Sequence, residues 1–149
     1  MIQIINKQRK IKVPVKKLEQ SIQAMLKVLK YEDFDVGLFL TTDRTIRQYN
    51  KTYRNKDKAT DILSFPYHTE IKPGQKIIVK TPEDKNLGDI IISLEYVKRS
   101  APDWSRSFED HLIALLAHGM AHLLNHTHDL DTDFELMQKI EKKLLSACN

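Results

Sequence analysis

Residues 117–128 read Ala-His-Gly-Met-Ala-His-Leu-Leu-Asn-His-Thr-His, so that four of the chain's six histidines fall at His118, His122, His126 and His128. The segment before them, from Ser107 to Leu124, is apolar on most of its surface, which predicts a long helix at the centre of the domain. At about 100° per residue, His118 and His122 lie on one face of that helix, roughly 40° apart and one turn along the axis. Two imidazoles so placed can converge on one cation. A third ligand can come only if the chain leaves the helix after Leu124, and Asn125 is the best non-glycine residue for the left-handed conformation such an exit needs. His126 or His128 can then supply the third nitrogen; His128 has the longer reach and is the one expected.

Working outward, the rest of the chain alternates strand and helix patterns. Ile2, Ile4 and Ile5 open as a strand, and Pro14 stands where a helix can start. Leu18, Ile22, Met25, Leu26 and Leu29 predict an amphipathic helix over 15–30 with a lysine-rich outer face. Val36–Thr41 reads as a strand, and Asp43 as the cap of a helix through Tyr53. Thr60–Tyr67 and Leu87–Ser93 read as two more strands. Between them a lysine-rich connection with a Pro-Gly turn should be exposed, with Ile77-Ile78-Val79 either a brief strand or part of a mobile excursion. Helical patterns follow at 94–99, 107–124 and 131–147, broken at Pro102. The expected fold is α/β (α+β): one domain over 1–149, a small mixed sheet packed against several helices, with an apolar, metal-binding helix near its centre.

Composition bounds the function. The chain has 149 residues, 41% hydrophobic and 30% charged, the balance of a soluble globular domain. No apolar run approaches the roughly 20 residues of a membrane span, and the opening MIQIINKQRKIK lacks a signal peptide's apolar centre. A cytoplasmic protein is therefore expected. One cysteine, Cys148, excludes an internal disulfide and a cysteine-built metal site. The net charge of +4 favours an anionic partner. Basic residues crowd Lys7–Lys17 and then Arg44, Arg47, Lys51, Arg54, Lys56 and Lys58. The first group reads as a solvated face; the second adjoins a helix-to-strand loop.

Three histidines and no cysteine suit a catalytic zinc with an open fourth position, one Zn²⁺ per chain, better than a structural zinc. Such a metal activates water for hydrolysis. Zinc peptidases with this histidine spacing carry a glutamate base directly after the first histidine, and here that place is Gly119, which cannot move a proton. Phosphoryl chemistry instead needs cations on phosphate oxygens. Arg54, with its bidentate guanidinium, fits that role, and Lys56 and Lys58 flank it as candidate substrate contacts. Asp61 and Asp89 each enter an apolar strand; such carboxylates usually hold a turn by accepting backbone N–H groups, and otherwise serve as outer partners of a metal ligand or as a base. His68 reads as a loop residue and His111 as an ordinary helix residue.

Residues 118–128 resemble the H-G-x-L-H-L-x-G-Y-D-H signature of the YbeY family of metal-dependent endoribonucleases. Asn50–Pro66 (NKTYRNKDKATDILSFP) is similar to that family's N-x-x-Y-R-x-K-D-x-x-T-D-V-L-S-F-P block, and Leu87-Gly88-Asp89-Ile90 to its L-G-D-I block. The resemblance implies a zincin-like fold, with His118, His122 and His128 as zinc ligands and Arg54 as the essential basic residue, so that His118 and Arg54 make up the catalytic set. It implies single-strand-specific cleavage of RNA in rRNA maturation, at the 3′ end of 16S rRNA, and a part in ribosome quality control. The partners so implied are rRNA and the small ribosomal subunit or its proteins, without a membrane. A non-catalytic ribosome-assembly factor with a structural zinc is the alternative, and a peptidase a distant third. The chain departs from the signature at Ala121, Asn125 and His126-Thr127, where the family has Leu, Gly and Tyr-Asp. The lost aspartate removes a possible outer acceptor for a metal ligand, for which Asp129 is a candidate substitute.

Overall fold

The computed structural model describes residues 1–149. Its strands are β1 (Ile2–Asn6), β2 (Asp35–Thr41), β3 (Ile62–Pro66) and β4 (Asn86–Ser93); its helices are α1 (Val15–Leu29), α2 (Asp43–Arg54), α3 (Leu94–Ser100), α4 (Phe108–Leu123) and α5 (Asp131–Ala147). The strands form one mixed sheet in the order β1-β2-β4-β3. β1, β2 and β4 run parallel, and β3 pairs antiparallel with β4 as an edge strand. The α/β architecture expected from the alternating patterns is the one observed.

Strand alternation divides the sheet's two faces. Leu38, Leu40, Ile90 and Ile92 point to one side, where they meet Leu18, Ile22 and Met25 of α1 and Leu112, Leu116 and Met120 of α4 in the main core. Ile91 and Leu63 point to the other, against Ile46 of α2. α4 is nearly enclosed, as its apolar composition requires, and Ser107 caps it by accepting the Asp110 N–H at 3.1 Å. Gly119 sits where α4 crosses the sheet. A Cβ there would stand 2.8 Å from Ile62 Cδ1 and 3.1 Å from Ile90 Cδ1, so a larger residue would have to displace those side chains.

Two local expectations are corrected. Asp43 is the first helical residue of α2 rather than its cap; the cap position is Thr42 in extended conformation. The Asp43 carboxylate is taken by Ser93 Oγ at 2.7 Å and Arg99 at 2.9 Å, partners distant in sequence. The connection between β3 and β4 forms no strand at Ile77–Val79, and it is not wholly exposed. Ile77 is 5% exposed, and its N–H donates to the Tyr31 hydroxyl at 3.1 Å, while Ile78 and Val79 face solvent.

Candidate metal centre

α4 carries His118 and His122 to its C-terminal end on a common face, and the helix then stops in a Schellman turn. Asn125 adopts the left-handed conformation at φ 64°. Its N–H donates to the His122 carbonyl at 2.9 Å, and the N–H of His126 to the Ala121 carbonyl at 3.1 Å. The Asn125 side-chain amide also donates to the carbonyls of His68 and Ile71, at 2.8 and 3.0 Å, tying the turn to the loop after β3. An asparagine thus takes the signature glycine's place and adds two anchors a glycine lacks. Beyond the turn the chain swings back far enough that nitrogens of His118, His122 and His128 lie within 4.8 Å of one another. His126 goes elsewhere: its side chain is buried, and its carbonyl accepts from His122 Nδ1 at 2.9 Å.

Hydrogen bonding fixes the tautomers of the two helical histidines. A carbonyl can only accept, so His122 carries its proton on Nδ1. His118 Nδ1 lies 2.9 Å from Glu141 Oε1 of α5, a carboxylate that takes that ring's proton. The two Nε2 atoms then face each other 3.0 Å apart. Two nitrogens of a tetrahedral zinc, each at about 2.05 Å, would stand roughly 3.3 Å apart, close to that separation. Burial, together with the charges of His118, His128 and Arg54, pushes His122 down to about 4, so its imidazole is neutral at pH 7, the form a metal requires. No further His, Cys, Asp or Glu side chain joins the three, so a tetrahedral ion held by them would keep one position for water or substrate.

The remaining site candidates scatter around this centre. Arg54 ends α2, its side chain is exposed, and its charge is among those that depress His122. Asp61 accepts the Ile62 N–H at 2.7 Å and lines, with His118 and Glu141, a cavity of about 240 Å³. Asp89 is brought to neither role. Its neighbours Ile90 and Ile92 face α4, so Asp89 faces the opposite side of the sheet, over Gly37 and in a groove with Lys7 and Phe39. Lys56 and Lys58 are exposed on a turn that folds back against α2, where Asn50 Nδ2 donates to the Lys58 carbonyl at 2.9 Å. Lys58 borders a depression with Arg44, Arg47 and Asp57, away from the cavity that His118 lines. Arg47 is paired with Asp57 at 2.9 Å. His68 lies in a loop, as read, while His111 is buried and meets Ser100 Oγ and Arg106 Nη1, each at 3.3 Å. Glu141 was not singled out by sequence reasoning, which looked to Asp129; Asp129 is exposed, and the carboxylate on His118 comes from α5 instead.

These features define an α/β domain with a three-histidine centre at the end of a buried helix. Position 119 is Gly119, which brings no carboxylate, packed against Ile62 and Ile90. The family model of endoribonuclease YbeY matches residues 3–149, and the chain belongs to that family. It is 32% identical to the human endoribonuclease YbeY, over 95% of this chain and 84% of that protein. It is also 32% identical to the endoribonuclease YbeY of Thermus thermophilus, over 98% and 99% of the two chains. A Myxococcus xanthus endoribonuclease YbeY is 41% identical over 83% of this chain, which spans only 40% of that longer protein. The solution structure of TM1509 from Thermotoga maritima shares the fold, with a TM-score of 0.60 and 22% identity over 98% of this chain and 90% of that one. No helix is long and apolar enough to cross a membrane.

Proposed function

We propose that this protein is a metal-dependent endoribonuclease that hydrolyses phosphodiester bonds of single-stranded RNA at a zinc ion held by His118, His122 and His128. The observation that carries the reading is the convergence of nitrogens of His118, His122 and His128 within 4.8 Å of one another, with the Nδ1 atoms of the two helical rings engaged elsewhere so that their Nε2 atoms meet. Bound there, the metal supplies Lewis acidity toward a phosphodiester and toward water. The chain's own residues do the rest. Glu141 and the His126 carbonyl hold the two rings in the tautomer that presents Nε2. Arg54 offers a planar, permanently charged fork to the phosphate oxygens as negative charge grows on them. Lys56 and Lys58 attract the RNA backbone by charge from the neighbouring turn. The relatives named endoribonuclease YbeY support RNA as the substrate class, and the motif resemblance supports the 3′ end of small-subunit rRNA, with the assembling subunit in the cytoplasm as partner.

The test compares wild-type protein, His122→Ala and Arg54→Lys, purified identically and loaded with zinc, on single-stranded and duplex RNA. The wild type should cut the single strand, His122→Ala should lose metal and activity, and Arg54→Lys should keep its metal and lose at least tenfold in rate, because an ammonium cannot reproduce the bidentate fork. Equal cleavage by His122→Ala would contradict the proposal. A zinc-loaded wild type that cuts neither substrate would replace it with the assembly-factor reading.

A further inference from the structure

The cavity that His118 lines has a second wall that the cleavage reading leaves unused, made of Trp104, Arg106 and His111. Trp104, the one tryptophan of the chain, ends a tight 3-10 turn over Ala101–Trp104. Ser105, in the left-handed conformation at φ 53°, then turns the chain into α4. The tryptophan is 62% exposed, and a lone exposed aromatic is unremarkable. This one is braced. The Arg106 guanidinium carbon lies 5.4 Å from its ring centroid, and the His111 ring is 6.1 Å away, inclined by 25°. Arg106 Nη1 and His111 Nδ1 are themselves 3.3 Å apart, so the two cannot stand on opposite faces of the indole. Both therefore back the same face, and most of the residue stays open to solvent. His111 is fixed by burial and by its contact with Ser100 Oγ, which makes the support rigid.

The combination is a flat aromatic surface with a guanidinium beside it, opening on the cavity that a candidate metal ligand also lines. Proteins hold single-stranded nucleic acid with this pairing, stacking bases on aromatic rings while cations follow the phosphates. About 240 Å³ suits one base rather than a larger molecule. The carboxylates of Asp61 and Glu141 in the same cavity repel a phosphate from its interior and admit a neutral base, leaving the phosphate to the exposed Arg106. We infer that Trp104 is the stacking platform for a nucleobase flanking the cleaved phosphate, and that Arg106 contacts that nucleotide's phosphate. The two form a substrate-positioning subsite, an assignment that rests on the RNA-cleaving reading of His118.

Because Trp104 is the only tryptophan, its fluorescence reports this subsite alone. Zinc-loaded full-length protein is titrated with adenosine 5′-monophosphate, which has no phosphodiester to cut, with a single-stranded hexaribonucleotide, and with inorganic phosphate. Saturable quenching by the first two and none by phosphate is expected. Trp104→Ala should raise KM for the hexaribonucleotide about tenfold, the scale of one lost stack, with kcat, zinc content and melting temperature near wild type; Trp104→Phe should recover most of the loss. Arg106→Gln should raise KM and flatten its salt dependence. Unquenched fluorescence at RNA concentrations that saturate cleavage, or an unchanged KM in Trp104→Ala, would overturn the subsite while leaving the metal centre intact. Absence of cleavage by the wild type would defeat the catalytic reading instead, and the fluorescence titration would still decide whether a base stacks here.

Discussion

On one face of the sheet, α1, α4 and α5 build a core cluster of 23 buried residues; on the other, α2 covers a cluster of three, Ile46, Leu63 and Ile91. The histidines stand at the edge of the thick side, where the Nδ1 atoms of His118 and His122 are tied to packed elements, Glu141 of α5 and the His126 carbonyl in the helix-ending turn. The thin side leaves a groove of about 440 Å³ lined by Phe39, Tyr49, Tyr53, Phe65 and Asp89. Tyr49 and Tyr53 stack there at 6.0 Å with much of their surface in solvent. Ligand geometry that must hold to a fraction of an ångström needs dense support, and only one face provides it. Arg54 ends α2 on the thin side, and its charge is the smallest of the causes that lower His122.

The sharpest way to break this contrast is at Gly119. Gly119→Glu places a carboxylate against Ile62, Ile90 and Ser64 and should cost at least about 3 kcal/mol, through overpacking and the burial of a charge. A wild-type urea midpoint for that variant would show that α4 does not press on the sheet as described. Next, Ile90→Ala on the thick side should cost about 3–4 kcal/mol, against about 2 kcal/mol for Ile46→Ala on the thin side, where the few surrounding groups can collapse into the space. Equal losses would erase the distinction between the faces.

Glu141→Ala should weaken zinc binding about 10- to 100-fold, roughly 1.4–2.7 kcal/mol, by freeing the His118 ring. Asp89→Asn, on the opposite face, should leave zinc affinity unchanged. Competition with a chromogenic chelator measures both, and a loss in Asp89→Asn with none in Glu141→Ala would reverse the assignment. The smallest effect concerns pH. Burial is the main cause holding His111, His122 and His126 below the ordinary histidine value in the folded chain. Below about pH 6.5 the unfolded chain therefore binds protons that the folded chain does not, and the metal-free protein loses stability as pH falls toward 4. The loss at pH 5 should be about 1 kcal/mol once solvent screening of the partly exposed rings is allowed for. Urea midpoints that stay level between pH 7 and 5 in chelator would contradict it.

Much of this was legible in residue order. Helix and strand periods located all nine elements, and α5 begins and ends where the pattern from Asp131 to Ala147 does. His-x3-His spacing and the left-handed preference of asparagine anticipated a third nitrogen returning at His128, because both follow from local backbone geometry. What escaped depends on contacts between distant segments. Asp43 looked like a cap because its partners Ser93 and Arg99 lie beyond two strands. Ile77 looked exposed because Tyr31 is far upstream. Glu141 sits among charged residues of α5 whose periodicity does not say which one meets His118. The turn that folds Lys56 and Lys58 against α2, held by the Asn50 side chain on the Lys58 carbonyl, is likewise a contact that their place in the sequence does not show.

The identity of the three ligands is tested most directly by metal content in a matched pair. His128→Ala and His126→Ala, purified without chelator alongside the wild type and analysed for zinc per chain, separate the histidine that joins the centre from the one buried behind it. About one zinc per chain in the wild type and in His126→Ala, with little or none in His128→Ala, is the result this structure predicts. Zinc retained by His128→Ala and lost from His126→Ala would contradict it.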